Sequence, residues 1–186
     1  MDASHGDLHI GAVRSAARKL AEKYAPGLVE LVDEAARLHD CGRAVSDENH
    51  ELVGAKLVSQ DETLRAKWSE EEFALLVEAV REHRASTGRP VGVVARIVSD
   101  ADRMGKPEEM NPLRRAYLYG LERGLAQTPD EALRRAAAHI VEKYDDGYGC
   151  RAYFPETSAW ISAHYGPIIQ AAKAGDWETL RAIAGV

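Results

Sequence analysis

The sequence predicts an all-α protein. Three observations lead there. Apolar residues recur at helical spacing along most of the chain, as at Leu8, Ala12, Val13, Ala16, Ala17, Leu20 and Ala21. No stretch shows period-two alternation, and Gly and Pro gather at a few breakpoints between the periodic segments. At 186 residues, with 45% hydrophobic and 29% charged residues, the chain can bury a core without disulfides or a structural metal.

The elements follow in order. A first helix spans about 7–24 and stops at Pro26-Gly27. A second runs over about 28–40 through Leu31, Val32, Ala35 and Leu38, and Gly42 ends it. A third covers about 47–59 and carries Val53, Gly54, Leu57 and Val58. Ser69-Glu70-Glu71-Glu72 is a capping box that opens a fourth, to about Arg84. After the loop Ser86–Pro90, with Pro90 suited to a first helical turn, a fifth spans about 91–104. Further helices are expected over about 112–125, 128–144, 156–173 and 176–184, the second of them opened by Thr128-Pro129-Asp130-Glu131. Gly147–Pro155 reads as an irregular aromatic loop, suited equally to stacking on a base, to closing as a lid, or to packing as a connection.

Composition excludes several classes. The 24 Lys and Arg against 30 Asp and Glu leave a net charge of −6 and no long basic run, which argues against a duplex nucleic-acid binder. No apolar run reaches the roughly 18 residues of a membrane span. The polar start Met1–His5 does not read as a secretory leader, and Cys41 and Cys150 show no pairing pattern. The expectation is a cytoplasmic protein. Small phosphorylated substrates stay open, since they need only a few local cations.

Four of the seven histidines end or begin apolar helix faces. His9 shares a face with Val13, Ala16 and Leu20, and His39 follows Leu28, Val32 and Ala35 with Asp40 next to it. His50 lies with Val53, Gly54 and Leu57, and His83 continues Leu76 and Val80. On the fifth helix Val94, Ile97, Val98 and Ala101 set the buried direction. Asp102 falls about 60–80° from it and Asp100 more than about 120° away, so Asp102 is expected to face inward and Asp100 outward. Buried carboxylates without cationic partners are costly, and a divalent metal removes the cost because imidazole and carboxylate are its natural ligands. His139 is expected on the solvated surface and His164 as packing beside Trp160. His5, four residues before His9, is placed to support the ligands from outside. Cys41 reads as a small buried hydrophobe.

The order His9, His39-Asp40 and Asp102 resembles the signature of the HD-domain superfamily of metal-dependent phosphohydrolases. The resemblance runs from about Ser4 to Met104, through His9–Val13, Ala35–Arg43 and Ala95–Arg103. It implies a bundle of five core helices. The expected organisation is one domain over 1–186, a metal-binding core at 1–104 completed by a C-terminal helical extension at 105–186. It also implies that His9, His39, Asp40 and Asp102 bind one ion and that Asp40 bridges to a second held by His50 and His83. His50–Ala55 and Thr87-Gly88-Arg89 resemble HD-type dinucleoside tetraphosphate hydrolases, whereas the start resembles small uncharacterised HD hydrolases. Gly42-Arg43 stands where Gly-Lys is frequent. The paired histidines of cyclic di-guanylate hydrolases are absent, His83 being followed by Arg84.

The expected activity is hydrolysis of a nucleotide or other small phosphate ester or anhydride. Its nucleophile would be metal-activated water held against Asp40 and Asp102, with Arg43 beside them. One or two ions of Fe, Mn, Co, Ni or Zn suit these ligands better than Mg. Arg14, Arg43, Lys56, Arg84, Arg89 and Arg103 are the candidate phosphate-binding cations. Two other functions are compatible with the same residues: a di-iron oxygenase using the same six ligands, and a non-catalytic nucleotide-binding module. The oligomeric state stays open.

Overall fold

A computed structural model describes residues 7–105, 111–147 and 151–186. His5 lies outside the described residues, as do Tyr148–Cys150 of the aromatic loop. The described residues form ten α-helices joined by short turns, with no strand among them. The all-α expectation holds. The chain divides into two compact units, Met1–Pro107 and Glu108–Val186.

The first unit contains α1 (Asp7–Tyr24), α2 (Val29–Leu38), α3 (His50–Ser59), α4 (Glu62–Lys67), α5 (Glu70–Glu82) and α6 (Val93–Met104). α6 is the central element and packs on α1, α2 and α5, while α3 packs on α5. The stripes meet in a core of small and branched residues. Val13, Ala17 and Leu20 come from α1, Val32 and Ala35 from α2, Leu76 and Val80 from α5, and Val94, Ile97 and Val98 from α6. The many alanines let the helices approach closely, which brings their ends together at one side of the core. Ser69 and Glu72 form the expected capping box at the start of α5.

Four local features differ from the sequence reading. α4 was not expected: it is a single exposed stretch capped by Asp61, whose carboxylate accepts from the amides of Thr63 and Leu64. It buries no residue and so writes no apolar stripe. Pro90 is not in the first turn of a helix. The carboxylate of Glu78 accepts from the amides of Val91 and Gly92, and α6 begins only after Gly92. On α3 the buried stripe is His50, Glu51, Gly54, Ala55 and Val58, whereas Leu57 is exposed. Asp100, expected to face outward, is fully buried and paired with the guanidinium of Arg103, itself buried. α6 is covered on several sides, so a direction away from its main stripe still points into protein.

The second unit contains α7 (Pro112–Glu122), α8 (Pro129–Val141), α9 (Pro155–Ala174) and α10 (Trp177–Ala184). α8 continues as a π-helical turn over Glu142–Asp146. Its core includes Leu113, Leu133, Ile140, Ile161, Ile168 and Leu180, with Tyr144 stacked on Tyr165 at 3.7 Å. Asn111 and Arg114 close it by donating to carbonyls at the end of α10. Phe154 is buried as the residue preceding α9, so this end of the aromatic loop is packed. His139 is exposed, and His164 is exposed and stacked on Trp160 at 4.0 Å.

No helix is long and apolar enough, among the described residues, to cross a membrane.

Candidate metal centre

Five helices of the first unit present their ends to one point. His9 lies in the first turn of α1, His39 directly follows α2, His50 begins α3, His83 directly follows α5, and Asp102 sits in the last turn of α6. Asp40 follows His39 and leads into a 3-10 turn, Cys41–Ala44. That turn lies flat against α3 because Gly42 has no side chain: a Cβ there would fall 2.0 Å from the carbonyl oxygen of His50. Gly54 completes the contact from the helix side, its own Cβ position lying 3.2 Å from the Cys41 sulfur. Two glycines therefore set how near Asp40 comes to His50.

The distances describe two groups that share one carboxylate. His9, His39 and Asp40 can each offer a donor atom within 4.8 Å of the others, and so can Asp40, His50 and His83. Asp40 Oδ1 lies 3.1 Å from His50 Nε2 and 3.6 Å from His83 Nε2. Its Oδ2 lies 3.5 Å from His39 Nε2. Asp102 Oδ1 lies 3.2 Å from His9 Nε2 and 3.8 Å from His39 Nε2, with its side chain 27% exposed. The four imidazoles are buried.

Each ring is held from behind by a backbone carbonyl. Nδ1 of His9 donates to Gly105, His39 to Ala36, His50 to Asp47 and His83 to Val80, at 2.7, 2.7, 3.1 and 2.8 Å. A carbonyl accepts and cannot donate, so Nδ1 carries the proton and every neutral ring turns a lone pair inward from Nε2. This is the tautomer and orientation that metal-binding histidines adopt. Two details of the cluster are compatible with a bound cation. His39 Nε2 is buried without a hydrogen-bond partner. The Nε2 atoms of His50 and His83 lie 3.2 Å apart, a spacing that a proton on one ring or a cation held by both satisfies.

Burial, with the His83 charge adding, pulls the His39 pKa down to about 4, so that ring stays neutral at ordinary pH. Burial acts to lower the pKa of His83, but the hydrogen bond to Asp40, together with the charges of Asp102 and Asp40, reverses it and leaves the ring easier to protonate than a free imidazole. Burial would raise the Asp40 pKa, yet the hydrogen bonds that His50 and His83 donate from Nε2 when their rings carry a second proton prevail and hold it far below the usual carboxylate range. Burial and the Asp40 charge push the Cys41 thiol up, which suits packing rather than nucleophilic attack.

A model of the HD domain family matches residues 7–105. The chain belongs to the HD-domain family. No curated protein and no solved structure matches it. HD domains form a superfamily of metal-dependent phosphohydrolases, and the histidine–aspartate groups of this HD domain fit a divalent metal.

The six expected ligands converge; the expected cations mostly do not. Arg43 is the one beside the centre, its Nε 2.8 Å from Asp40 Oδ2 and its Nη1 3.5 Å from Asp47. Arg103 is corrected: it is buried against Asp100 and Ser99 and is closed to a substrate. Arg14 makes a bidentate pair with Asp33 at 2.7 and 3.0 Å. Arg84 is engaged by Glu51 and the carbonyl of Glu48, and Arg89 donates to the carbonyls of Thr87 and Gly88. Lys56 is exposed on α3. Sequence reading missed Glu51, a buried carboxylate beside His50. Its signal was present in the spacing 50, 51, 54, 55 and 58, the same pattern that identified α1.

Proposed function

We propose that this HD domain is a metal-dependent phosphohydrolase acting on a nucleotide or another small phosphate ester or anhydride. The observation that carries this reading is the set of four carbonyl-anchored imidazoles whose Nε2 atoms face the carboxylates of Asp40 and Asp102. His9, His39, Asp40 and Asp102 would hold one ion, and Asp40, His50 and His83 a second. Fe, Mn, Co, Ni and Zn suit these donors. A bound ion lowers the pKa of water and neutralises charge on phosphoryl oxygens.

The remaining chemistry belongs to the chain. Asp40 stays ionised across the working pH range and is the shared acceptor for both groups. Asp102, the more exposed carboxylate of the cluster, is the one a water or a substrate reaches from solvent, and in this reading it would help orient or deprotonate an attacking water. Arg43 keeps a positive charge next to Asp40 and is the cation best placed to meet a phosphoryl oxygen. The carbonyl bonds at Nδ1 keep the four rings from rotating as substrate enters.

The test combines metal analysis of the purified protein with a phosphate-release screen over nucleotides. His39→Ala and Asp40→Ala proteins are expected to lose bound metal and turnover together. Unchanged turnover in either variant refutes the proposal, and so does turnover that stops when oxygen is removed.

A further inference from the structure

Glu51 is buried one residue beyond His50 and belongs to neither ligand group. Its Oε2 lies 3.6 Å from Nδ1 of His50. Its two oxygens lie 3.4 and 3.3 Å from Nη1 of Arg84, and Thr87 Oγ1 donates to Oε1 at 3.3 Å. The same Arg84 nitrogen donates to the carbonyl of Glu48 at 2.7 Å. Arg84 is the residue after His83. One carboxylate thus ties the start of α3, where His50 sits, to the segment that leaves α5, where His83 sits.

That tie matters because both histidines occupy helix ends. His50 is the first residue of α3, and Asn49 before it makes no side-chain cap bond. His83 caps the end of α5. Helix ends open most readily, and the carbonyls of Asp47 and Val80 orient the two rings without fixing the distance between the two helix ends. An ion shared by the two rings requires their separation to be held within a few tenths of an ångström.

We propose that Glu51 is a positioning residue for the second ion: through Arg84 and Thr87 it clasps the start of α3 to the segment after α5 and sets the spacing of His50 and His83. This rests on the metal reading above. The first group has separate anchors, His9 on Gly105 and His39 on Ala36, and serves as an internal control.

The experiment is a Co²⁺ titration of the chelator-stripped full chain, followed by calorimetry and by the visible absorption of the bound ion. Wild-type protein is expected to bind two ions. Glu51→Gln and Arg84→Gln proteins are expected to bind the first ion as wild type does and the second about 10- to 100-fold more weakly. The double variant is expected to be no worse than either single one, because both cut the same tie. Arg84, whose side chain is 37% exposed, provides a variant that folds if Glu51→Gln does not. Wild-type affinity for both ions in both variants overturns the inference. So does an equal loss at both steps, which marks a general structural role. A wild-type protein that binds one ion overturns the inference and leaves the metal reading standing; one that binds none removes that reading as well.

Discussion

Gly42→Ala should damage this protein far more than its single added methyl group suggests. The new Cβ would fall 2.0 Å from the carbonyl oxygen of His50, 2.5 Å from the amide nitrogen of Gly54 and 2.9 Å from the carbonyl carbon of His50. Ordinary van der Waals contact begins near 3.4 Å, so the turn after Asp40 and the first turn of α3 must separate by more than about 1 Å. Every obstructing atom is backbone, and no side-chain rotation relieves the overlap. Overpacking of this kind costs about 1–3 kcal/mol, and backbone obstruction places it at the upper end. The displacement acts directly between Asp40 and His50, so the second ion should be lost first. Gly54→Ala is the matched control. Its Cβ would meet the Cys41 sulfur, the Gly42 amide and a Val80 methyl at 3.2 Å, a misfit of tenths of an ångström. The helix-propensity gain of about 1 kcal/mol at this interior position of α3 offsets it. Urea unfolding in chelator and metal content per chain measure both effects. A Gly42→Ala protein within about 0.5 kcal/mol of wild type, with its full metal complement, would refute the reasoning.

Two further outcomes test the fold around the centre. Arg103→Met removes the guanidinium that pairs with the buried Asp100 carboxylate and should cost about 3–5 kcal/mol, while the Asp100→Leu, Arg103→Met double variant should recover most of it; a double variant as unstable as the single one counts against a buried pair. The Asp33 pKa is lowered chiefly by its hydrogen bond from Arg14. The unfolded chain therefore takes up the proton at higher pH than the folded one, and stability is present above the ordinary carboxylate pKa and lost as pH falls through the folded value. Because Arg14 is 42% exposed, the contribution is about 1 kcal/mol or less, and Asp33→Asn should remove this share of the acid loss when unfolding is compared at pH 6 and pH 3.

Much of the centre was legible before any coordinates. His9, His39 and His83 terminate apolar stripes, and a stripe end on a packed helix is a place where buried side chains from several helices meet. Asp40 follows from His39 by adjacency. Asp102 was separable from Asp100 as the residue nearer the main stripe, yet the same wheel misplaced Asp100. A wheel measures angle from one buried direction and has no means of showing that α6 is also covered elsewhere. Arg103 failed for a related reason: a cation beside a ligand in sequence points about 100° away on a helix, and here that direction holds Asp100. α4 escaped notice because it buries nothing.

The sequence by itself determined the helical class and the core helices that end in His9, His39, His50 and His83, since periodicity and residue chemistry are local properties, while the ligand roles came with the family resemblance. Tertiary structure decided the rest. The carbonyls of Ala36, Asp47, Val80 and Gly105 select the ring tautomers, and the last of these lies 96 residues from the histidine it holds. Gly42 becomes a contact surface only when α3 lies upon it. Glu51, Asp33 and Asp100 each consume an arginine that sequence alone would have left facing a phosphate. The physical reason is that donor strength and charge belong to residues, while orientation, pairing and access arise only when separate helices bring their groups within a few ångströms.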